Sequence, residues 1–302
     1  MNHAGGKAIS RKAFATLLLI ALMMGGNHVA ARIAFNNGVD VATAVVFRSL
    51  VTALAIVVIL SLQRVRVRFS ARHRRMLPLI GLLIGVQSLC LYSSVARLPV
   101  ALALLAFNTY PIWTALWAWL IYRRRPERAL LLAMPVILLG LTLALDVFGA
   151  ASGLGTSGQW ARIGAGVAFA LAAAGTFALA LVMTQHEAAD VDGRVRTATT
   201  MTMAGLVALI MVASQGGFHL PQATPGWWGL AVLTFLYGTA FTIMFTVLPK
   251  LGVVGNAAIM NVEPVFALVL AWLILSQSIA PVQVAGALLV VGTVVALGLR
   301  KR

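Results

Sequence analysis

The chain has 302 residues, of which 61% are hydrophobic and only 10% carry a charged side chain. Soluble domains have about 25% charged residues, so this composition excludes an ordinary soluble protein and indicates an integral membrane protein. The formal net charge of +16 does not indicate nucleic-acid binding, because the basic residues lie between apolar segments rather than on one soluble face.

Ten apolar segments approach the roughly 20 residues that a membrane-spanning helix needs. They cover residues 13–32, 41–62, 77–96, 101–122, 130–148, 162–183, 197–215, 228–248, 255–275 and 282–299. The first follows Lys7, Arg11 and Lys12, as in a signal peptide, but its apolar stretch is long for one, and its removal would spoil a symmetric set of helices. We therefore predict an uncleaved first helix. The connections are short, and no soluble domain is expected on either side of the membrane.

The distribution of basic residues sets the expected orientation of these helices. With a cytoplasmic N-terminus, most Lys and Arg residues fall at the inner ends, whereas the outer ends hold only Arg32, Arg97 and Arg162. We therefore predict a multi-pass protein of the bacterial inner membrane with both termini in the cytoplasm. The same distribution explains the positive net charge without a nucleic-acid partner.

The most informative stretch is Asn261-Val262-Glu263-Pro264, which places a carboxylate and a proline inside an apolar run. An ionisable residue at bilayer depth costs roughly 3 kcal/mol on insertion scales, so it faces a bundle interior or a wet cavity. Asn108-Thr109-Tyr110-Pro111 repeats the Asn-x-x-Pro pattern 153 positions earlier, close to half the chain length. We therefore expect an internal duplication, with one repeat over residues 1–150 and the other over residues 151–302.

Each predicted repeat has five helices, which is an odd number. The fourth and ninth segments are therefore expected to cross the membrane in opposite directions. The sequence thus predicts an all-α membrane protein of ten transmembrane helices, arranged as two inverted five-helix repeats. Pro111 and Pro264 are expected to be hinges, since each removes a backbone hydrogen bond and frees the carbonyl group of Phe107 or Met260. A cavity is expected near the membrane midplane, where the two proline-containing helices meet.

Polar and aromatic residues at membrane depth are the candidate site residues. The candidates for substrate binding are Asn27, Tyr92, Asn108, Tyr110, Trp113, Tyr237, Asn261 and Glu263. Glu263 and His28 are candidates for proton coupling, because a buried carboxyl group or an imidazole can carry a proton. Each also has a structural alternative, Glu263 as a neutral hydrogen-bonded acid and His28 as a capped histidine near a helix end. Asn108 and Asn261 are alternatively local partners of the backbone beside their prolines.

Arg48 lies inside the second apolar segment. A guanidinium group at that depth needs a partner or a polar cavity. We favour structural pairing with Asp40, Asp146 or Glu263 over direct contact with a substrate.

Short motifs follow one another in a fixed order along nearly the whole chain. They are Gly26-Asn27, Phe47-Arg48, Asn108-Thr109-Tyr110-Pro111, Asn261-Val262-Glu263-Pro264, Gln283-Val284-Ala285-Gly286 and Gly292. In these motifs the chain resembles the drug/metabolite transporter superfamily, specifically its EamA-domain branch of ten-helix bacterial exporters, and most of all the YddG-type aromatic amino-acid exporters. The resemblance implies export or exchange of small metabolites through a central cavity lined by the first, third, fourth, sixth, eighth and ninth spans. Members of the family usually carry a glutamate after the fourth and ninth spans, where this chain has Arg124 and Gln277, and we expect that departure to affect loop structure more than transport.

The expected function is secondary-active or facilitative export of small metabolites by alternating access, with amino acids, aromatic ones among them, as the favoured class. Drugs or nucleoside-type metabolites are the alternative substrates, and an intramembrane enzyme or a passive channel is the alternative class. The chain has no GxxxxGK[ST] loop and no HExxH pair, and Glu263 is its one central carboxylate, so catalysis is not expected. We expect no metal or cofactor. The expected partners are a small-molecule substrate and the lipid bilayer, for a monomer or homodimer.

Overall fold

A computed structural model describes residues 11–65, 69–124, 128–246, 262–277 and 279–299. The described residues form the helices α1 (Arg11–Asn36), α2 (Val41–Leu62), α3 (Ala71–Arg97), α4 (Val100–Phe107), α5 (Tyr110–Tyr122), α6 (Arg128–Ala144), α7 (Gly155–Glu187), α8 (Gly193–Ser214), α9 (Thr224–Thr246), α10 (Glu263–Leu275) and α11 (Pro281–Leu299). Apolar segments of this length form helices in a bilayer because every backbone N–H and C=O group must be paired within the segment.

Seven of the described helical stretches are long and apolar enough to cross a membrane. They are Phe14–Asn36, Val41–Leu62, Ala71–Arg97, Val100–Tyr122, Gly155–Glu187, Gly193–Ser214 and Thr224–Met244. Three shorter apolar helices lie at the remaining predicted spans, over Leu131–Ala144, Glu263–Leu275 and Pro281–Ala296. The protein is therefore a multi-span membrane protein, while the count of ten spans stays a prediction.

Side-chain caps explain where two of the helices begin. Asp40 precedes α2 and accepts a hydrogen bond from the N–H of Thr43 at 3.0 Å. Ser70 precedes α3, and its hydroxyl accepts from the N–H of His73 at 3.1 Å while its own N–H donates to the His73 ring at 3.3 Å. The predicted start of the third segment at residue 77 was therefore too late, because this capping box starts the helix at Ala71.

The predicted fourth span consists of two helices rather than one. α4 ends at Phe107, and α5 begins at Tyr110 with Pro111 in its first turn. Proline is well tolerated there, because its missing N–H would have no acceptor within the helix. The interruption at Asn108 and Thr109 lies directly before Pro111. That this proline frees the carbonyl group of Phe107 and acts as a hinge stays a prediction.

The two proline-containing helices have the same local structure. α5 begins at Tyr110 and α10 begins at Glu263, each with proline in its first turn, and each helix has 13 residues. Each is followed by a residue in the left-handed region, Arg123 with φ 55° and Ser276 with φ 53°. Tyr110 and Glu263 thus occupy equivalent positions, as the repeated Asn-x-x-Pro pattern predicts.

The directions of these two helices follow from contacts at the ends of the bundle. We name the ends after α3, which runs from the Arg72 end to the Arg97 end. Tyr122, at the end of α5, donates a hydrogen bond to Glu187 at the Arg72 end of α7. Gln277, after α10, accepts a hydrogen bond from the N–H of Val100 at 3.2 Å, at the Arg97 end. The two proline-containing helices therefore run in opposite directions.

Helices of one half of the chain pack mainly on helices of the other half. α1 packs on α9 as α3 packs on α7, α2 packs on α9 as α3 packs on α8, and α1 packs on α10 as α5 packs on α7. We match α1 with α7, α2 with α8, α3 with α9 and α5 with α10. Each of the contacts just named then has an equivalent contact between the two counterpart helices. The pair α2–α8 maps onto itself, and so does α6–α11 when these two helices are matched with each other. A two-fold axis requires such a pattern, although the inverted repeat itself stays a prediction.

α6 and α11 cross where two glycines face each other. A Cβ atom on Gly286 would lie 2.5 Å from the backbone nitrogen of Ala144 and 2.5 Å from the carbonyl oxygen of Gly140. Small residues at a crossing let two helix backbones approach closely in a membrane. The first and second halves of the chain are thereby joined by direct backbone packing.

We expect Gly286→Ala to destabilise the protein by about 1–3 kcal/mol, because the added Cβ meets backbone atoms that cannot move aside. Gly292→Ala on the same helix is the matched control, since a Cβ there meets nothing within 4 Å. That control should keep or raise the stability through its better helix propensity. The measurement is the midpoint of heat-induced loss of the monodisperse peak in detergent. Equal midpoints for the two variants would contradict the packing argument.

Candidate functional site

A group of buried polar residues lies where α1, α2, α3, α9 and α10 meet, with Tyr92 at its centre. We call it the central cluster, and its members are Asn27, His28, Arg48, Tyr92, Tyr237 and Glu263. Tyr92 is fully buried, and its hydroxyl donates a hydrogen bond to Asn27 Oδ1 at 2.7 Å. The His28 ring meets the Tyr92 ring edge-on, with 5.6 Å between the ring centroids. Asn27 and His28, two consecutive residues of α1, thus both contact Tyr92.

Arg48 lies between two tyrosine rings. Its Cζ atom is 4.3 Å from the ring centroid of Tyr92 and 4.1 Å from that of Tyr237. The residue is only 2% exposed. A cation over an aromatic face gains about 2 kcal/mol or more when both are shielded from water. The negative faces of the two rings therefore stabilise a guanidinium group in the membrane interior.

The ion pairs predicted for Arg48 were wrong. Asp40 caps the first turn of α2, Asp146 accepts hydrogen bonds from the loop after α6, and Glu263 lies against His28. Within the described ranges, no carboxylate forms an ion pair with Arg48. An arginine in an apolar run indicates that its side chain has a partner. Whether that partner is a carboxylate or an aromatic ring depends on which helix packs against the arginine. The sequence therefore missed the arrangement that makes this residue part of the site.

The two coupling candidates contact each other. His28 Nε2 lies 3.3 Å from Glu263 Oε1, and the two side chains are 3% and 21% exposed. α1 and α10 approach this closely because Gly25 has no side chain, and a Cβ there would lie 3.0 Å from the nitrogen of Ala267. This contact joins α1 and α10 at the central cluster.

Three buried nitrogen atoms of the central cluster have no hydrogen-bond partner among the described residues. They are Nδ2 of Asn27, Nδ1 of His28 and Nε of Arg48. A buried polar atom without a partner costs about 1–3 kcal/mol. Folded proteins leave few such atoms. Three of them around one tyrosine indicate a place that suits a ligand with hydrogen-bond acceptors.

Tyr110 and Trp113 lie beside the central cluster in a second, aromatic group. The Tyr110 ring is 5.8 Å from that of Phe107 and 5.4 Å from that of Phe177, between centroids. Trp113 lies against Gly175 of α7, where a Cβ would be 3.8 Å from the indole. Phe107 and Phe177 were not predicted, because a phenylalanine in an apolar run carries no distinguishing signal.

Glu263 lies within electrostatic range of the phenol groups of both Tyr110 and Tyr237. These tyrosines belong to different helices, α5 and α9. Tyr237 also stacks on Phe241, with 4.5 Å between the ring centroids. Glu263 therefore connects the second group with the central cluster.

Of the two asparagines in the repeated Asn-x-x-Pro pattern, the structure describes only Asn108. Asn108 follows α4, is 8% exposed, and its N–H donates to the carbonyl of Leu104 at 2.9 Å. Asn261 lies outside the described residues. Of the predicted site residues, the structure brings together Asn27, His28, Tyr92, Tyr237 and Glu263, with Tyr110 and Trp113 adjacent. Pro111 and Pro264 start the two helices that carry Tyr110 and Glu263.

Polar contacts join three helices at the Arg72 end. Glu187 accepts from Arg72 Nε at 2.6 Å and from the Tyr122 hydroxyl at 2.7 Å. The Tyr122 ring stacks on His186 with 3.8 Å between centroids and 12° between planes. These contacts hold α3, α5 and α7 together on that side of the central cluster.

Comparisons with known proteins agree with this architecture. The model of the EamA-like transporter family matches residues 11–145 and residues 164–299. An uncharacterized transporter of Synechocystis sp. is 26% identical over 230 residues, which are 73% of this chain and 65% of that protein, so the match spans less than two thirds of its length. One crystal structure is similar over 94% of this chain and 96% of its own, with a TM-score of 0.58 at 18% identity, and this likeness concerns the fold alone. Because the family model matches both halves and together most of the chain, this multi-span membrane protein belongs to the EamA-like transporter family.

Proposed function

We propose that this chain exports or exchanges amino acids, aromatic ones among them, and that the central cluster is its substrate site. The observation that carries the proposal is a buried cation and a partly buried carboxylate in one cluster, Arg48 and Glu263, which do not pair with each other. An amino acid carries both complementary charges. The planar fork of Arg48 suits a carboxylate, and Glu263 suits an ammonium group.

Aromatic surfaces around the cluster favour substrates with a flat apolar side chain. Tyr92 and Tyr237 already present ring faces to Arg48, and Tyr110 with Phe177 extends the aromatic wall toward α7. Aromatic rings attract one another in offset or edge-on arrangements, by about 0.5–1.5 kcal/mol beyond the burial of their area. The unpartnered donors of Asn27 and Arg48 would be satisfied by the oxygen atoms of the substrate.

Transport then requires the cluster to open alternately to each side, because five of its six residues are buried in this conformation and the Glu263 side chain is only 21% exposed. The helix break at Asn108 and Thr109 is a position where the backbone can bend without breaking a continuous helix. The contacts of Glu187 with Arg72 and Tyr122 would separate when the Arg72 end opens. The two halves would rock around the central cluster, as in transporters built from inverted repeats.

Proton coupling has a simple physical basis in this arrangement. A proton on Glu263 removes the negative charge that would hold an ammonium group, so proton and substrate compete for one carboxylate. His28 Nε2 lies 3.3 Å from Glu263 Oε1, within reach of a proton transfer to that carboxylate. Proton entry from the outside would thereby drive release of the amino acid. If no proton binds during the cycle, the chain would instead carry out facilitated exchange of the amino acid.

The purified full-length chain in proteoliposomes tests the substrate class. Vesicles loaded with an aromatic amino acid should take up the labelled compound by counterflow, and unlabelled amino acids should compete. The N-acetyl and methyl-ester derivatives each lack one charge, so we expect them to compete about tenfold more weakly, because a charged hydrogen bond contributes about 1.5 kcal/mol or more. Equal competition by neutral nucleosides or by apolar cations would contradict the amino-acid assignment and favour drugs or nucleoside-type metabolites. Flux that does not saturate would favour a channel.

A further inference from the structure

A cavity of 330 Å³ opens at the Arg97 end, away from the central cluster. It lies where α1 and α3 end and where α4, α7 and α11 begin. Its polar lining consists mainly of Arg32, Arg97, Asp146, Gln159, Arg162 and Gln283. No member of the central cluster lines this cavity. We call it the arginine cavity.

The charges of the arginine cavity are unbalanced. Three guanidinium groups against one carboxylate leave a net charge of +2 in its lining. Among the ion pairs of the described residues, none involves Arg32, Arg97 or Arg162. These are the same three arginines that the sequence places at the outer ends of the helices, where the expected topology disfavours basic residues.

Two of these arginines are held in place by groups that leave their charge unneutralised. Arg32 Nη1 donates to the carbonyl oxygen of Val95 at 2.6 Å and to that of Leu98 at 3.3 Å, while its buried Nε has no partner among the described residues. Arg97 donates to the carbonyl of Ser93 at 2.9 Å, and its Cζ lies 4.7 Å from the ring centroid of Phe169. Both guanidinium groups are therefore oriented before any anion arrives.

Asp146 forms no ion pair with the arginines, because backbone groups occupy its carboxylate. Its oxygens accept from the N–H of Ala151 at 3.0 Å and from the N–H of Ser152 at 2.8 Å, which folds the loop that forms one wall. Gln159 and Gln283 donate to the last carbonyl groups around the end of α6, each at 3.0 Å. The wall of the cavity is thus built from satisfied polar groups, and the arginines supply its free charge.

We propose that the arginine cavity binds an anionic group, a carboxylate or a phosphate, at the membrane face where α3 ends. Guanidinium groups bind both anions through paired charge-assisted hydrogen bonds. The volume falls in the range of about 300–1,000 Å³ found for small-molecule sites. The anion is either part of a soluble small molecule or the phosphate of an anionic lipid. The site is independent of the substrate proposed for the central cluster.

Phosphate binding to the full-length protein in nanodiscs of neutral phosphatidylcholine tests this proposal. Titration calorimetry with inorganic phosphate at constant ionic strength should show saturable binding. Arg162→Gln, at an exposed position, should weaken that binding by about fivefold or more, because one charged hydrogen-bond donor is removed. Arg162→Lys should give an intermediate value. Arg75→Gln, at the opposite end of α3, is the control and should leave the binding constant unchanged.

Nanodiscs that contain phosphatidylglycerol distinguish the two sources of the anion. If a lipid headgroup is the natural occupant, phosphatidylglycerol should block phosphate binding in the wild-type protein. It should also be retained less by the Arg162→Gln protein in native mass spectrometry. If a soluble anion is the occupant, phosphate binding should be equal in both kinds of nanodisc. The double variant Arg97→Gln, Arg162→Gln, in monodisperse form, provides the decisive comparison. The proposal would be overturned if the wild-type protein bound phosphate and phosphatidylglycerol no more tightly than this double variant. It would also be overturned if Arg75→Gln weakened phosphate binding as much as Arg162→Gln does.

Discussion

Replacement of Glu263 by glutamine is expected to abolish the stimulation of transport by a pH gradient while leaving counterflow exchange measurable. Glutamine has nearly the same shape as glutamate and keeps an oxygen that accepts hydrogen bonds, but it does not take up a proton. Its neutral amide holds an ammonium group less strongly, so the half-saturation concentration in counterflow should rise about tenfold. The contact between His28 and Glu263 at 3.3 Å is the structural reason for this expectation.

The measurement uses proteoliposomes with and without an imposed pH gradient, compared at the same internal substrate concentration. A second pair of histidine and carboxylate provides the control. His73 Nε2 lies 3.1 Å from Asp190 Oδ1, but the Asp190 side chain is 75% exposed. Asp190→Asn should therefore leave both assays unchanged. If Glu263→Gln also changes neither assay, the carboxylate is a structural group and the coupling proposal fails.

The second large effect is expected at Arg48. Arg48→Met should reduce the affinity for amino acids by about tenfold to a hundredfold, because a charged hydrogen-bond donor to the substrate carboxylate is lost. The same change should leave thermal stability equal or higher, because removal of an incompletely compensated buried charge is often neutral or stabilising. Methionine also fills the space between Tyr92 and Tyr237, and its sulfur contacts aromatic rings favourably.

Two further variants separate a binding role from a structural one. Arg48→Lys keeps the charge but loses the planar fork, so its affinity should lie between those of the wild type and Arg48→Met. Tyr237→Phe keeps the ring that faces Arg48 and removes a hydroxyl that, among the described residues, contacts the Met201 sulfur at 3.6 Å. It should bind amino acids nearly as well as the wild type. Wild-type affinity in Arg48→Met, or a large loss of stability with normal affinity, would show that Arg48 serves only the fold.

Several parts of the fold were open to prediction because they depend on short stretches of chain. Long apolar runs indicated the membrane class, and the Asn-x-x-Pro pattern indicated that Tyr110 and Glu263 occupy equivalent places. The structure confirms that local equivalence in two helices of equal length. The start of α3 was predicted too late, although Ser70 is a recognisable cap. An apolar run alone does not mark that boundary, because residues 72–75 in the first turn of α3 are polar.

The candidate site was only partly predictable. Glu263, Tyr92 and Asn27 were selected because polar side chains at membrane depth are rare and need partners. Their partners were not predictable, since the hydrogen bond between Asn27 and Tyr92 joins residues 65 positions apart. Arg48 shows the limit most clearly, because three carboxylates were proposed as its partners and two tyrosine rings fill that role.

The amino-acid sequence by itself determined that this chain enters a membrane, where its helices lie, and which side chains are too polar for that environment without a reason. These properties act within one segment, since hydropathy, capping and proline geometry depend on neighbouring residues. Only the tertiary structure decided that His28 meets Glu263, that Arg48 lies between two tyrosines, and that three arginines share one cavity. Such contacts depend on how each helix is rotated and where it crosses its neighbours. Those quantities are set by packing between distant segments, for which no single stretch of sequence carries the information.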